Sequence, residues 1–412
     1  MISEIGLQKI KRAVWNKEET NCLLESNTLL LGATQTGKST LADMMIGQVS
    51  RQGIGKAVIF EVKGERIKNI DDEDIFVSCS SIEGLNGREF IWSILKEATA
   101  FGKTDVERRI ASIYEPLFRS KIKKSTQPYF IKAACNILTG LTYSLYLKYG
   151  LISNRLLFEM MEEMDVSGYY NLFSETGTIR RYARDLPIIN GRVTGQAAGV
   201  LGELSHYISA FARIFKKDGY DSIYEFGASP GCERFFFLYD YNSREDCDLL
   251  YTILFNQIIA YKLSYTPIGS QKIYMFLDEI SVIENSEIDL QFAANIGTSK
   301  GLHLIIAIQN IQLLSSIYGD DNVNAILEGF NNIVAFKVNQ QETKNFIRNR
   351  VGMEVDTLLV SMPLSRKDKV TYQIRTGNQI TDELIEGLNV GTAILKVGIQ
   401  EPCIIKIECG EG

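Results

Sequence analysis

Apolar and polar positions along this chain follow two periods in turn. Asn27-Thr-Leu-Leu-Leu31 is a short apolar run that reads as a buried strand. After Gly32–Ser39 the period changes, and Leu41, Met44, Met45 and Val49 fall on one side of a helix. Ala57-Val-Ile-Phe-Glu61 predicts a second strand, ending in a Lys63-Gly64-Glu65 turn. From 88 to 217 the pattern is mainly helical; Phe130, Ala134, Ile137, Leu141 and Leu145 recur at helical spacing, which predicts one buried face. Strand patterns return at Arg234–Tyr239, Ile273–Leu277, Leu302–Ile308 and Ile333–Val338, separated by helical stretches such as Asp248–Tyr261. Such alternation implies a parallel sheet covered on both faces. Gly391–Lys396 and Cys403–Ile407 are expected to add edge strands.

Composition narrows the class. The 412 residues suit one large domain or a core carrying an insertion. With 45% hydrophobic and 23% charged residues, bulk disorder is excluded. The longest apolar stretch, Tyr129–Ile152, is broken by Lys132 and Lys148, so no spanning helix is expected. The N-terminal residues lack the apolar core of a secretory signal. Cysteines at 22, 79, 135, 232, 247, 403 and 409 show no CxxC spacing, which points to a reduced, cytoplasmic protein without a zinc site. Two histidines, His206 and His303, exclude His-rich metal chemistry; His303 sits within a strand pattern as a core residue.

Charge is uneven. A net of −6 excludes a uniformly basic nucleic-acid binder, yet residues 88–217 hold 19 Lys and Arg against 12 Asp and Glu, leaving +7 there and −13 elsewhere. The most basic stretches are Arg119–Lys124 and Arg180–Arg184. Arg119, Lys121, Lys123 and Lys124 are candidate phosphate-backbone contacts; the alternative is a solvated face paired with the acidic remainder.

Gly32-x-x-x-x-Gly37-Lys38-Ser39 matches the phosphate-binding loop and stands between a strand and a helix, as that loop requires. Glycines let backbone N–H groups converge on phosphate oxygens at the positive end of a helix. Gly32, Ala33, Thr34, Gln35, Thr36, Gly37, Lys38, Ser39 and Thr40 are therefore the expected nucleotide contacts, with Lys38 on the β/γ oxygens of ATP and the Ser39 hydroxyl on Mg²⁺. Ile273-Tyr-Met-Phe-Leu-Asp278-Glu279 places two carboxylates at the end of a strand, where open α/β sheets bind ligands. Asp278 is the expected second Mg²⁺ residue and Glu279 the base that activates water. Gln309, ending Leu302–Ile308, would contact the γ-phosphate or the water; otherwise Gln309 and Asn310 begin a turn.

Gly32–Thr40, Glu61-Val-Lys-Gly-Glu65, the helical insertion, Phe276-Leu-Asp-Glu279 and Gly301–Gln309 occur in the order seen in conjugative coupling proteins, and the chain resembles that family. These TraG/TraD-like type IV secretion ATPases belong to the FtsK–HerA superfamily of hexameric translocases. Pro128-Tyr-Phe130 with Ala133-Ala134 is similar to the start of a helix in the family's all-alpha domain. Asn339–Thr343 and Arg350-Val-Gly352 resemble its last strand and helix. The likeness covers almost the whole chain. Two departures stand out. Such proteins usually carry N-terminal membrane helices, for which there is no room before Gly32. Relatives also often have an arginine, acting across the subunit interface, where this chain has Thr298; Lys300, Arg348 and Arg350 are candidates for that role, and each could equally be a surface charge.

The resemblance implies a RecA-like α/β P-loop NTPase with a parallel central sheet. It would comprise 1–87 and 218–412, with an all-α insertion at 88–217. It further implies an ATP-driven DNA translocase that passes DNA and a relaxase to secretion-channel components. As a homo-hexamer it would be cytoplasmic or peripheral at the inner face of the membrane. Other readings are a DNA pump for packaging, segregation or defence, and an ATP-regulated platform that docks a partner protein.

Overall fold

The computed structural model describes residues 2–5, 11–15, 20–82, 84–186, 188–189, 192–264, 271–283, 287–352, 354–361 and 371–407; at 2–5, 11–15, 188–189, 192, 354–361 and 371–378 the backbone alone is described. Cys409 lies outside them. The chain divides into two compact units. One comprises Met1–Gln52, Tyr274–Ser281 and His303–Gly412; the other comprises Gly53–Ile273 and Val282–Leu302.

The first unit is built around a mixed, mostly parallel sheet. Its described strands stand in the order Lys11–Trp15, Cys403–Ile407, Thr392–Val397, Asn332–Ala335, Thr28–Leu31, Leu302–Ile308, Lys272–Asp278. Thr28–Leu31 lies parallel to both neighbours, with Leu31 level with Ile308 on one side and with Ala335 on the other. The residues that follow these three strands therefore emerge together at one edge. Thr28–Leu31, Leu302–Ile308 and Asn332–Ala335 are buried throughout, which is why they appear in the sequence as continuous apolar runs rather than alternating ones.

The sheet is mostly parallel, as expected, with Thr392–Val397 running antiparallel to both Asn332–Ala335 and Cys403–Ile407. Two expectations need correction here. Neither C-terminal strand is an edge strand: Thr392–Val397 lies between Asn332–Ala335 and Cys403–Ile407, and Lys11–Trp15 pairs alongside Cys403–Ile407 in parallel. The strand expected at Ile333–Val338 ends at Ala335; beyond it, the Phe336 N–H donates to Leu31 O at 2.7 Å and Lys337 O accepts from Ala33 N at 2.8 Å. A second, antiparallel sheet of Ile2–Ile5, Glu354–Ser361 and Thr371–Asn378 completes this unit's strands.

In the second unit Gly55–Glu61, Arg234–Leu238, Ile75–Ser78 and Arg88–Glu89 pair in that order, all in parallel. The helical stretch is as its periodicity predicts, running from Ile94–Thr99 to Gly195–Ile214. A two-residue ladder, Ile188–Ile189 with Arg192–Val193, interrupts it. Pro128 opens the 22-residue helix Pro128–Tyr149, a position where its missing N–H costs nothing. Ala134, Ile137, Leu141 and Leu145 are buried on this helix, while Phe130 is partly exposed. Gly140 is there for space: a Cβ would lie 2.6 Å from the Tyr182 ring. Aromatic contacts fill the interior, with ring centroids of Phe118 and Tyr207 at 4.2 Å and of Phe158 and Phe211 at 4.8 Å. Among the described residues no helix is long and apolar enough to cross a membrane.

Candidate functional site

The phosphate loop leaves strand Thr28–Leu31 and enters helix Lys38–Gln52, so its peptide N–H groups and the positive end of a 15-residue helix share one edge of the first unit. The backbone turns back on itself at Gln35, φ +59°, and Gly37, φ +116°. Only glycine adopts the second value readily. Gly32 has no positive φ; a Cβ on it would come within 2.7 Å of Phe336 Cβ and of Thr36 Oγ1. The two motif glycines thus serve different ends, one conformational and one steric.

Lys38 is 4% exposed, and its ammonium donates to Gly32 O at 2.6 Å and Ala33 O at 2.8 Å. The Thr36 hydroxyl donates to Ala33 O at 2.8 Å. Ser39 Oγ stands 3.4 Å from Asp278 Oδ2, a long hydrogen bond that joins the helix start to the end of strand Lys272–Asp278. Glu279 holds a left-handed backbone, φ +57°, which is unusual for a side-chain-bearing residue and is fixed by its N–H to Ala307 O at 3.1 Å. Gln309 Nε2 donates to Glu279 Oε1 at 3.0 Å. Asp278 and Glu279 are buried. Lys38, Ser39, Asp278, Glu279 and Gln309 thus all lie in the first unit, brought together from three separate stretches of sequence.

Ser39 and Asp278 present hard oxygen atoms of the kind Mg²⁺ prefers, so the donor set fits that ion. His303 is 2% exposed with its ring stacked on Tyr274, centroids 4.9 Å apart, as a core residue.

In the second unit the Glu61 carboxylate organises the turn after its strand. Oε1 accepts the N–H of Lys63 at 3.0 Å and of Glu65 at 3.2 Å, and Oε2 pairs with Arg66 at 3.0 Å. Gly64, φ +75°, permits the turn.

The basic stretch at the end of helix Val106–Lys124 is engaged within the chain. Arg119 pairs with Asp289, Lys123 with Glu287 at 2.7 Å, and the Lys121 ammonium lies 4.8 Å from the Tyr207 ring centroid. Lys124 is exposed, with no ion pair to any described residue. Of the candidate trans-acting cations, Arg348 pairs with Asp382 at 3.3 Å and Arg350 donates to Glu328 O at 3.1 Å, whereas Lys300 is exposed and makes no ion pair among the described residues. Sequence reasoning missed Phe336 and Gly391 beside the loop, since nothing local to either residue signals a neighbour some 300 or more positions away.

A parallel-dominated sheet, a Gly-rich loop running into a helix and an Asp-Glu pair on a nearby strand end define a RecA-like P-loop NTPase fold. Residues 20–381 match the family model described as the type IV secretion-system coupling protein DNA-binding domain, and the chain belongs to that family. None of the curated proteins compared with the chain matches it. Among solved structures it resembles the unbound bacterial conjugative coupling protein TrwBdeltaN70, with TM-score 0.75 and 18% identity over 95% of this chain and 86% of that one. The plasmid coupling protein TrwB with a non-hydrolysable ATP analogue gives 0.74 and 17%, over 98% and 91%. VirB4 of Thermoanaerobacter pseudethanolicus gives 0.55 and 12%, over 93% and 90%. At these identities the structural likeness establishes the fold.

Proposed function

We propose that the chain is an ATP-hydrolysing motor that moves DNA for a type IV secretion channel. The observation that carries this reading is the grouping of Lys38, Ser39, Asp278, Glu279 and Gln309 in one unit, with Ser39 3.4 Å from Asp278 and Gln309 3.0 Å from Glu279. Nucleotide complexes of TrwB, one of them with ADP and Mg²⁺, support ATP and Mg²⁺ as the ligands. Lys38 gives up its two carbonyl acceptors for β/γ-phosphate oxygens, and N–H groups of the loop between Thr34 and Thr40 bind the remainder. Mg²⁺, held by Ser39 Oγ and Asp278, would offset the phosphate charge. Glu279 takes the proton of the attacking water, and Gln309 fixes the carboxylate that does so.

The family match supports DNA as partner, with a relaxase and secretion-channel components as the further partners. We assign residues 1–87 and 218–412 to the motor and 88–217 to a helical insertion that meets cargo. Of the three candidate trans-acting cations, Arg348 and Arg350 are engaged within the chain while Lys300 is exposed without an ion pair among the described residues, so the site is taken to be completed across a homo-hexameric ring, with Lys300 the leading candidate.

The test is ATP turnover with and without single-stranded DNA. Stimulated turnover is expected in the parent. It should be lost in Lys38→Ala together with nucleotide binding, whereas Glu279→Gln should still bind while turning over about 10²–10⁴-fold more slowly. A parent that hydrolyses no ATP under either condition, or a Glu279→Gln variant at the parent rate, would overturn the assignment. Sedimentation of the same samples in ATP analogue reads ring formation; a fully active, persistent monomer would exclude a shared site.

A further inference from the structure

A phosphate loop must expose several converging N–H groups with no protein acceptor, and here it also carries a non-glycine residue, Gln35, at φ +59°. A backbone of that kind persists only where its surroundings over-determine it. The surroundings are specific. Phe336, fully buried, lies against both motif glycines: its Cβ occupies the space beside Gly32, and its ring edge, Cε1, would be 3.0 Å from a Cβ on Gly37. The chain on either side of that ring is bonded to the strand end that launches the loop and to the loop's first half, through Phe336 N to Leu31 O and Ala33 N to Lys337 O, at 2.7 and 2.8 Å. The second half is held from another direction. Gly391, φ +75°, donates its N–H to Thr36 O at 3.0 Å, and its own carbonyl accepts from Ile407 N at 2.8 Å, which ties the turn to strand Cys403–Ile407.

We propose that Phe336 and the Gly391 turn are positioning residues for nucleotide: a strut that holds the phosphate loop curled and receptive before the ligand arrives. The inference rests on the reading of this loop as the nucleotide site and adds the elements that preset it. Phe336 lies just past the strand that ends at Ala335 and puts its side chain into the hollow of the loop, while its N–H still bonds Leu31 O. That is the departure from the strand expected at Ile333–Val338, and it gives the departure a purpose. Without the ring, Gly32 and Gly37 would face a void, the loop would gain other conformations, and binding would have to pay for selecting one.

The experiment uses the full chain and a fluorescent non-hydrolysable ATP analogue with Mg²⁺. Phe336→Leu keeps an apolar side chain of similar bulk but lacks the ring edge. It is expected to raise the analogue's Kd about tenfold. Amide hydrogen exchange over 33–38 in the nucleotide-free protein should quicken as well. Phe336→Met, long enough to reach the same slot, should recover most of the affinity. A control truncation in the same sheet, Leu395→Ala, should lower the melting temperature while leaving Kd at the parent value, which separates positioning from general stability. If Phe336→Leu bound the analogue like the parent, with loop exchange unchanged, the strut would be overturned while the nucleotide site stood. If the parent bound no nucleotide, both would fall.

Discussion

At the scale of single residues the candidate site is defined by which polar atoms hold one another. Glu279 is set in a left-handed backbone, and the Gln309 amide bonds its carboxylate at 3.0 Å. For the general base proposed at Glu279, being held helps only if the holding aims the carboxylate, so the bond makes a prediction. Gln309→Ala should lower ATP turnover at saturation by about tenfold or more, through loss of carboxylate orientation, and change nucleotide affinity far less. Steady-state kinetics together with analogue binding reads the two separately; an equal loss in both would make Gln309 a phosphate ligand instead. Gln309 is also where sequence reading reached its limit. Its place at a strand end was legible, as were the Gly32–Thr40 loop and the Asp278–Glu279 pair, because each is a local pattern. That its amide meets Glu279 depends on how the strand ends lie beside each other, which no local spacing encodes.

At the scale of elements, the strands that were easiest to read are those buried on both faces. Leu302–Ile308 is one; its seven residues are all buried and all but His303 are apolar. Lys11–Trp15 gave no such signal, since Lys-Arg-Ala-Val-Trp is short and opens with two charges; it becomes a strand by pairing with Cys403–Ile407, almost the whole chain away. The antiparallel ladder of Glu354–Ser361 and Thr371–Asn378 is in part visible, because Tyr372, Ile374 and Thr376 alternate with more polar residues. Its third strand, Ile2–Ile5, is not.

Helix junctions carry an electrostatic device that pattern reading also passes over. Glu97, in helix Ile94–Thr99, accepts the N–H of Ile223 at 2.6 Å and of Tyr224 at 3.2 Å, capping helix Ile223–Ala228, and accepts Trp92 Nε1 at 3.1 Å. Burial pushes its carboxyl up from 4.5 to about 7, against the lowering effect of those three hydrogen bonds. The native state therefore binds this proton more tightly than the unfolded chain does. The stability this provides is complete below about pH 4.5 and is lost as pH rises to about 7, a change on the order of 3 kcal/mol. Melting temperatures from pH 5 to 8 should fall more steeply for the parent than for Glu97→Gln, which does not titrate. Parallel curves would show that Glu97 stays ionised when buried.

At the scale of the whole molecule, charge separates what the fold alone does not. Residues 88–217 carry +7 while the rest carries −13, so a polyanion is drawn to the helical stretch and repelled elsewhere. Among the four cations singled out there, Arg119 and Lys123 already have carboxylate partners in Asp289 and Glu287, and Lys121 lies over Tyr207. DNA phosphates would have to compete with those partners, whereas Lys124 is available at no such cost. Segment 287–289 is further held by Asn256, whose Nδ2 donates to Glu287 O at 3.1 Å and whose Oδ1 accepts from Asp289 N at 2.9 Å, so it need not move if a cation leaves. Each phosphate contact releases counterions, and the slope of log affinity against log salt counts them at about 0.7 per contact for single strands. Changing Arg119, Lys121, Lys123 and Lys124 together to Gln should weaken single-stranded DNA binding and flatten that slope by up to about 3, with basal ATP turnover retained. Lys124→Gln alone should remove a larger share of the effect than Arg119→Gln alone, because Arg119 must first surrender Asp289. Fluorescence titrations across a salt series read both quantities. A quadruple variant with the parent's affinity and slope would place the contacts on other cations, and a dominant loss from Arg119→Gln would mean that its pair with Asp289 opens when DNA binds.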